Sequence, residues 1–162
     1  MIVQLRVDDR LIHGQVALVW TKELNTPGIV VANDNASTSA PVQMTLKMAT
    51  PTGKKLLIRS VDESIKVFNN PKGKDMRMFA LTNNIKDALK IAQNVDNILG
   101  INVANVGRFA DKSEGEPEKL TNTIMVSPSE KKALEELVKV GKPTFTQVIP
   151  SNNKVSISSL LK

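Results

Sequence analysis

An α/β fold on an open, mostly parallel β-sheet with helices on both faces is predicted by two features of this 162-residue chain. Short, almost wholly apolar runs bounded by Gly, Asn, Asp or Pro recur along it, as strands buried on two faces require. Segments with apolar residues at helical spacing alternate with those runs, the pattern of parallel strands joined by crossover helices. No linker-like or low-complexity stretch divides the chain, so residues 1–162 read as a single domain with one sizeable core.

Ile2–Val7 reads as the first strand. Gln15–Leu24 follows as a helix with Val16, Val19, Trp20 and Leu24 on one face, which makes Trp20 a core residue. Ile29–Ala32 is a second strand, closed by the turn formers Asn33, Asp34 and Asn35. A helix over Ala40–Ala49 stops before Pro51, since the residue preceding a proline is driven out of the helical region. Lys55–Arg59 is a third strand. Ser60-Val61-Asp62-Glu63 has capping-box spacing and opens a helix with Ile65 and Phe68 inward. Met76–Leu81 is a fourth strand, ending at Thr82-Asn83, and Asn84–Gln93 is helical.

Asn97–Val103 is the fifth strand. Ala104–Leu120, rich in Gly, charged and polar residues, reads as a long loop or small hairpin, with Glu114–Glu118 a solvated turn. Thr123–Val126 is a short strand. Ser127-Pro128-Ser129-Glu130 then combines a capping box with proline at the first helical position. Its helix aligns Ala133, Leu134, Leu137 and Val138 and ends at Gly141. Thr144–Ile149 is a last strand, and Ile157–Leu161 forms a short final helix.

Composition removes several chemistries. With no cysteine, disulfides, thiolate metal sites and cysteine nucleophiles are excluded. With a single histidine as well, a zinc site would fall mostly to carboxylates, which is not zinc's ligand set, so no metal is expected. Neither G-x-G-x-x-G nor G-x-x-x-x-G-K-[ST] occurs, and no cofactor is indicated. No G-x-S-x-G elbow supports serine hydrolysis. Net charge is +6, but the 22 basic residues divide evenly, 11 in Met1–Leu81 and 11 beyond, and aromatics are only 3%. That distribution argues against nucleic acid and suits equally an acidic or phosphorylated protein partner and an ordinary solvated surface. A signal peptide's basic and apolar regions are missing, and no apolar run nears the roughly 20 residues that span a bilayer, so the expected location is the cytoplasm.

The one histidine stands in Arg6-Val7-Asp8-Asp9-Arg10-Leu11-Ile12-His13-Gly14-Gln15-Val16. Asp8–Gly14 is the loop after the first strand, at the carboxyl end of the sheet where open α/β folds bind ligands. Asn33–Ser39, Thr82–Asn84 and Ala104–Arg108 follow later strands and line the same crevice. His13 directly precedes a helix N-terminus, whose free N–H groups and partial positive charge suit phosphate. Imidazole, with a reference pKa of about 6.5, is a nucleophile near neutral pH and can form a covalent phosphoryl intermediate. Arg10 can supply a charge-assisted partner for the phosphate, contributing about 1.5–3 kcal/mol. Asp8 or Asp9 is placed to accept from the other ring nitrogen and fix its tautomer. Gly14 gives the backbone room to approach. The plain alternative is a packed or capping histidine, with Asp8 and Asp9 as turn residues and Arg10 as their surface partner. Leu11 and Ile12 are candidates for the apolar centre of a protein contact, unless one of them faces the core.

This eleven-residue run, with Trp20 one turn on, resembles the signature of the mannose/fructose/sorbose family of sugar phosphotransferase-system (PTS) IIB components. The resemblance continues through Ile29–Asp34, Leu46-Lys47-Met48-Ala49-Thr50-Pro51, Asn69-Asn70-Pro71-Lys72, Leu81-Thr82-Asn83 and Ile101-Asn102-Val103, so it covers most of the chain. It implies a protein-N(pi)-phosphohistidine–sugar phosphotransferase. A phosphorylated IIA domain would pass its phosphoryl group to His13. From there it would go to a sugar of the mannose, fructose, sorbose or N-acetylgalactosamine class, imported by membrane IIC and IID subunits. Arg10 would bind the phosphate, Asp8 and Asp9 would shape the loop, and Gly14 and Gln15 would border the bound group. A second copy of the chain, in a homodimer, is a further candidate partner.

Two departures stand out. Many relatives carry an arginine in the helix after the second strand, where this chain has Val42 and Gln43. Many also have a Gly-Gly pair after the fifth strand, where this chain reads Val103-Ala104-Asn105-Val106-Gly107-Arg108-Phe109. Arg108 or Asn105 is the candidate to supply the missing phosphate contact. Two other functions compete: a regulatory phosphohistidine module of the same fold, not coupled to transport, and a small hydrolase using His13 as general base with Asp9.

Overall fold

A computed structural model describes residues 1–162. Five parallel strands come first: β1 (Ile2–Asp8), β2 (Gly28–Ala32), β3 (Lys55–Arg59), β4 (Met78–Thr82) and β5 (Ile101–Asn105). A separate antiparallel hairpin, β6 (Glu118–Thr121) and β7 (Ile124–Val126), follows, and β8 (Thr144–Thr146) and β9 (Val155–Ser156) complete the main sheet. The order is β3-β2-β4-β1-β5-β8-β9, with only β9 antiparallel. The fold is therefore the mostly parallel open sheet that the residue pattern predicts.

Alternation along the strands sends side chains to two separate cores. Leu5, Val7, Val30, Ala80, Ile101 and Val103 pack under α4 (Val61–Phe68), α5 (Ile85–Asn94), α6 (Pro128–Lys139) and the short α7 (Ile157–Leu160) on one face. Ile29, Val31, Phe79 and Leu81 pack under α1 (Gly14–Glu23), α2 (Asp34–Thr38) and α3 (Ala40–Ala49) on the other. No helix is long and apolar enough to cross a membrane.

Several elements differ from the sequence reading for identifiable reasons. α2 replaces an expected turn because the Asn33 side chain accepts from Ala36 N and starts a helix. On α1 the buried stripe is Ala17, Trp20 and Thr21, and Val19 faces outward. Trp20 sets that rotation, since its Nε1 donates to Val148 O at 2.9 Å. β8 stops at Thr146 rather than Ile149. The Asn102 carboxamide takes both Gln147 N, at 3.0 Å, and Gln147 O, at 2.8 Å, and so substitutes for the next rung of the ladder. The expected fourth and fifth strands begin late, at Met78 and Ile101, and Met76 and Leu99 are exposed. Glu114 is not merely solvated, because its carboxylate accepts from Ser129 N and Oγ at the start of α6.

The chain leaves β1 toward β2 but leaves the adjacent β5 toward β8. Their connections diverge, which opens a crevice beyond their carboxyl ends. The β1–β5 register slips there, from Val7↔Val103 to Asp8↔Asn105. A bulge at a strand end re-aims side chains, and this one sets Asp8 against Asn105. Gly107, at φ +89, is needed just beyond, where a Cβ would collide with Met125 O of β7.

Candidate functional site

Asp8 holds the crevice together. Its side chain is 1% exposed, and each oxygen is occupied. Oδ2 accepts from Arg6 Nη2 and from Asn105 Nδ2, both at 3.1 Å. Oδ1 accepts from Arg10 N at 3.0 Å, and Arg10 Nε lies 3.9 Å away. Leu11 N returns to Asp8 O at 2.9 Å, closing a tight turn with Leu11 at φ 56. A left-handed leucine is uncommon and costs roughly 1 kcal/mol or more, and it persists only where the surroundings over-determine it. The Asp8 bonds and the burial of Leu11 supply that constraint here.

Asp8 is in turn fixed by Arg6, a fully buried arginine in a central strand. Arg6 Nη1 donates to Val148 O at 3.0 Å, and its guanidinium carbon lies 5.8 Å from the Trp20 ring centroid. Burial lowers the affinity of Arg6 for its proton, and the adjacent Asp8 carboxylate opposes that shift. β1, α1 and the segment after β8 thus meet on one ion pair. The residue pattern hides this group: Gln4, Arg6 and Asp8 alternate with apolar residues like a solvated strand face, yet all three are buried. The available signal was an arginine inside a run that otherwise reads as a central strand.

His13 is exposed, at the N-cap of α1. Arg10 Nη1 lies 3.4 Å from His13 Nε2, across the outer side of the turn. Neither Asp8 nor Asp9 hydrogen-bonds the imidazole. Asp8 is committed as described, and Asp9 Oδ2 accepts from Arg108 N at 3.3 Å, with Oδ1 3.6 Å from Arg108 Nη2. Burial raises the Asp9 carboxyl above its ordinary pKa, and the Arg108 guanidinium partly counters that. Arg108 Nη2 also reaches Asn105 Oδ1 at 3.5 Å, so Asn105 and Arg108 join the loop through Asp8 and Asp9.

The start of α1 is open. His13 gives no side-chain cap, no acidic residue lies in the first turn, and a Cβ on Gly14 would meet nothing within 4 Å. Gly14 is therefore not demanded by this chain's own packing. Gln15 is exposed beside it. Leu11 and Ile12 do not form a surface: both are buried, packed with Ala17, Trp20 and Leu46. Outward apolar side chains near His13 come instead from Leu18 and Val19 of α1. Val42 lines the cleft beside Arg10, while Gln43 Nε2 donates to Ala36 O and Ser37 O, so neither brings a cation to the loop.

A buried carboxylate that orients an arginine, an exposed imidazole, and a helix N-terminus with free N–H groups make a surface for a doubly charged phosphoryl group. Comparison with known proteins points the same way. The family model described as the PTS system sorbose subfamily IIB component matches residues 2–162. A probable phosphotransferase enzyme IIB component of Streptococcus pyogenes serotype M6 is 53% identical over 162 residues, covering 99% of each chain. The PTS system sorbose-specific EIIB component of Klebsiella pneumoniae is 31% identical over 152 residues, 94% of this chain and 90% of that one. The crystal structure of the IIBSor domain of the sorbose permease from Klebsiella pneumoniae superposes with a TM-score of 0.88 at 30% identity, covering 99% of this chain and 96% of that one.

Proposed function

This chain belongs to the sorbose subfamily of PTS IIB components, and we propose that it carries a phosphoryl group on His13 from a phosphorylated IIA domain to a sugar. The observation that supports this best is the pairing of an exposed His13 with Arg10, whose backbone is pinned by buried Asp8. Residues 1–162 act as one cytoplasmic IIB domain beside membrane IIC and IID subunits. The sugar belongs to the mannose, fructose, sorbose or N-acetylgalactosamine class, the first three of which the relatives' names carry.

The first transfer breaks the N–P bond of the donor histidine and forms an N–P bond to His13. While Arg10 donates to Nε2 the ring proton sits on Nδ1; once Arg10 turns to the phosphoryl oxygens the proton moves to Nε2 through solvent, and the freed Nδ1, the π nitrogen, attacks. The α1 N–H groups receive the remaining charge. Arg108 is the second cation, delivered once incoming phosphate competes with Asp9 for its guanidinium. In the second transfer a sugar hydroxyl oxygen attacks phosphorus, the N–P bond breaks, and the hydroxyl proton ends on the freed imidazole. The loose transition state asks the protein for positioning and charge stabilisation rather than further covalent chemistry. The IIA domain meets a transient surface around His13, with Leu18 and Val19 as its apolar part.

The test is incubation with phosphoenolpyruvate, the general phosphotransferase proteins and a IIA domain. An acid-labile label is expected on the wild type and not on His13→Ala; equal labelling of both overturns the reading. Label that forms but never reaches a sugar in membranes with IIC and IID supports the regulatory module instead.

A further inference from the structure

A cleft of about 370 Å³, lined by Arg10 but not by His13, opens at the carboxyl ends of β1, β2 and β4. Its polar wall includes Arg10, Thr45 and three asparagines, Asn33, Asn35 and Asn83. Two of these carboxamides have their orientation fixed by the chain itself. Asn33 Oδ1 accepts from Ala36 N at 2.8 Å, and Asn83 Oδ1 accepts from Asn84 Nδ2 at 2.8 Å. With the oxygens used, each presents its NH2 group, and neither NH2 has a partner within the protein. Asn33 is only 6% exposed, so that donor is held in a nearly buried side chain that borders the cleft. The floor is apolar, from Leu11, Val42 and Leu46, and Asp9 stands at one end.

Fixed donors over an apolar floor, with one carboxylate able to accept, match a ligand with several oxygens and a C–H face. A free phosphate ion would gain the donors but meet the Asp9 carboxylate and leave the floor unused. A pocket of this size holds a single hexose ring. We infer that this cleft is a subsite for the acceptor sugar and its phosphorylated product, with Asn33 and Asn83 donating to its hydroxyl oxygens while Arg10 spans from the sugar to the phosphoryl group. The inference deepens the phosphoryl-carrier reading and rests on it for the identity of the ligand.

The test has two arms. In the first, unphosphorylated protein labelled with 15N is titrated with sorbose, mannose, fructose and N-acetylgalactosamine and with their 6-phosphates, while the asparagine NH2 resonances are followed. Shifts of the Asn33 and Asn83 signals are expected with at least one sugar phosphate. Asn33→Ser keeps an oxygen to cap α2 but deletes the NH2, and should weaken that binding about tenfold, the equivalent of one lost hydrogen bond. Asn83→Asp, which retains the acceptor for Asn84, should act in the same direction. Inorganic phosphate producing the same shifts as every sugar phosphate would reduce the cleft to an anion patch and overturn the inference. Shifts caused by the IIA domain and by no sugar would assign it to the donor protein and overturn it equally.

In the second arm, transfer is followed in membranes containing IIC and IID. Asn33→Ser should raise the sugar KM more than it lowers the rate at saturating sugar. An unchanged KM overturns the subsite. If wild-type His13 takes no label, the carrier reading fails, and the titration still decides the cleft.

Discussion

Two helix starts at the carboxyl side of the sheet are built on opposite terms. At α6, Ser127 Oγ accepts from Glu130 N, Glu130 Oε1 accepts from Ser127 N, and Pro128 has no N–H to satisfy. Glu114 then reaches across from the loop after β5 to take Ser129 N and Oγ. At α1, His13 occupies the capping position and caps nothing. Side chains of Asn33, Ser39, Ser60 and Asn84 cap α2 to α5, so among helices longer than one turn α1 stands alone. A missing N-cap forgoes about 1 kcal/mol. The chain satisfies its other long helix ends with its own side chains and leaves open the one beside His13, the proposed nucleophile, where an external phosphate would find free N–H groups.

The sharpest way to break that contrast is to make α1 resemble α6. His13→Ser supplies a capping hydroxyl and removes the imidazole. Phosphoryl labelling should vanish entirely, while stability against urea rises by about 1 kcal/mol. A loss of stability instead would mean that the imidazole itself holds the loop, contrary to its single contact with Arg10.

Asp8→Ala attacks the support beneath the open start. It strands the Arg6 guanidinium, 1% exposed, without its partner, and removes the acceptor for Arg10 N. Breaking a buried pair from one side costs about 3–5 kcal/mol. Urea denaturation should register that loss, with labelling of His13 reduced in whatever fraction remains folded. A change below 1 kcal/mol would show that Arg6 is held by Val148 O and Trp20 without Asp8.

The same contrast explains what could be read from the chain beforehand. Self-satisfied ends announce themselves in residue types: the Ser127–Glu130 box and Pro128 locate α6 to the residue. The Ser60–Glu63 spacing is only half realised. Ser60 Oγ accepts from Glu63 N, while the Glu63 carboxylate lies 4.0 Å from Arg59 Nε. His13, Arg10 and their loop are legible because the motif is contiguous. The support is not, because it joins residues far apart: Arg6 with Val148, Asp8 with Asn105, Gln147 with Asn102. Local pattern offers Leu11 and Ile12 as a surface pair, or as one inward and one outward; the structure, with a left-handed turn at Leu11, buries both.

Ser127→Ala tests the satisfied end. Glu130 N loses its acceptor, and stability should fall by about 1 kcal/mol in urea. His13 labelling should stay at the wild-type rate, since α6 packs on the opposite face from α1. A slowed label would mean that Glu114 and the loop carrying Arg108 transmit the change to Asp9.

The smallest effect expected is a slope rather than a loss. Asp9, 9% exposed at the side chain, has its pKa raised by burial more than Arg108 lowers it. The folded protein therefore keeps this proton to higher pH than the unfolded chain does. Stability falls as pH rises from the ordinary value of 3.8 through the raised one, and levels off above it. Asn at position 9 has no proton to lose and only a half-exposed ion pair to forgo. Asp9→Asn should flatten the stability profile over that window in urea melts between pH 3 and 7, with the two proteins converging at the acid end. A profile as steep as the wild type's would place the titration elsewhere, first at Asp87, whose carboxyl burial also raises at the start of α5. Flattening at Asp9 would mean that the loop beside the open end of α1 carries a carboxylate held at a cost in stability, as the proposed release of Arg108 to phosphate requires.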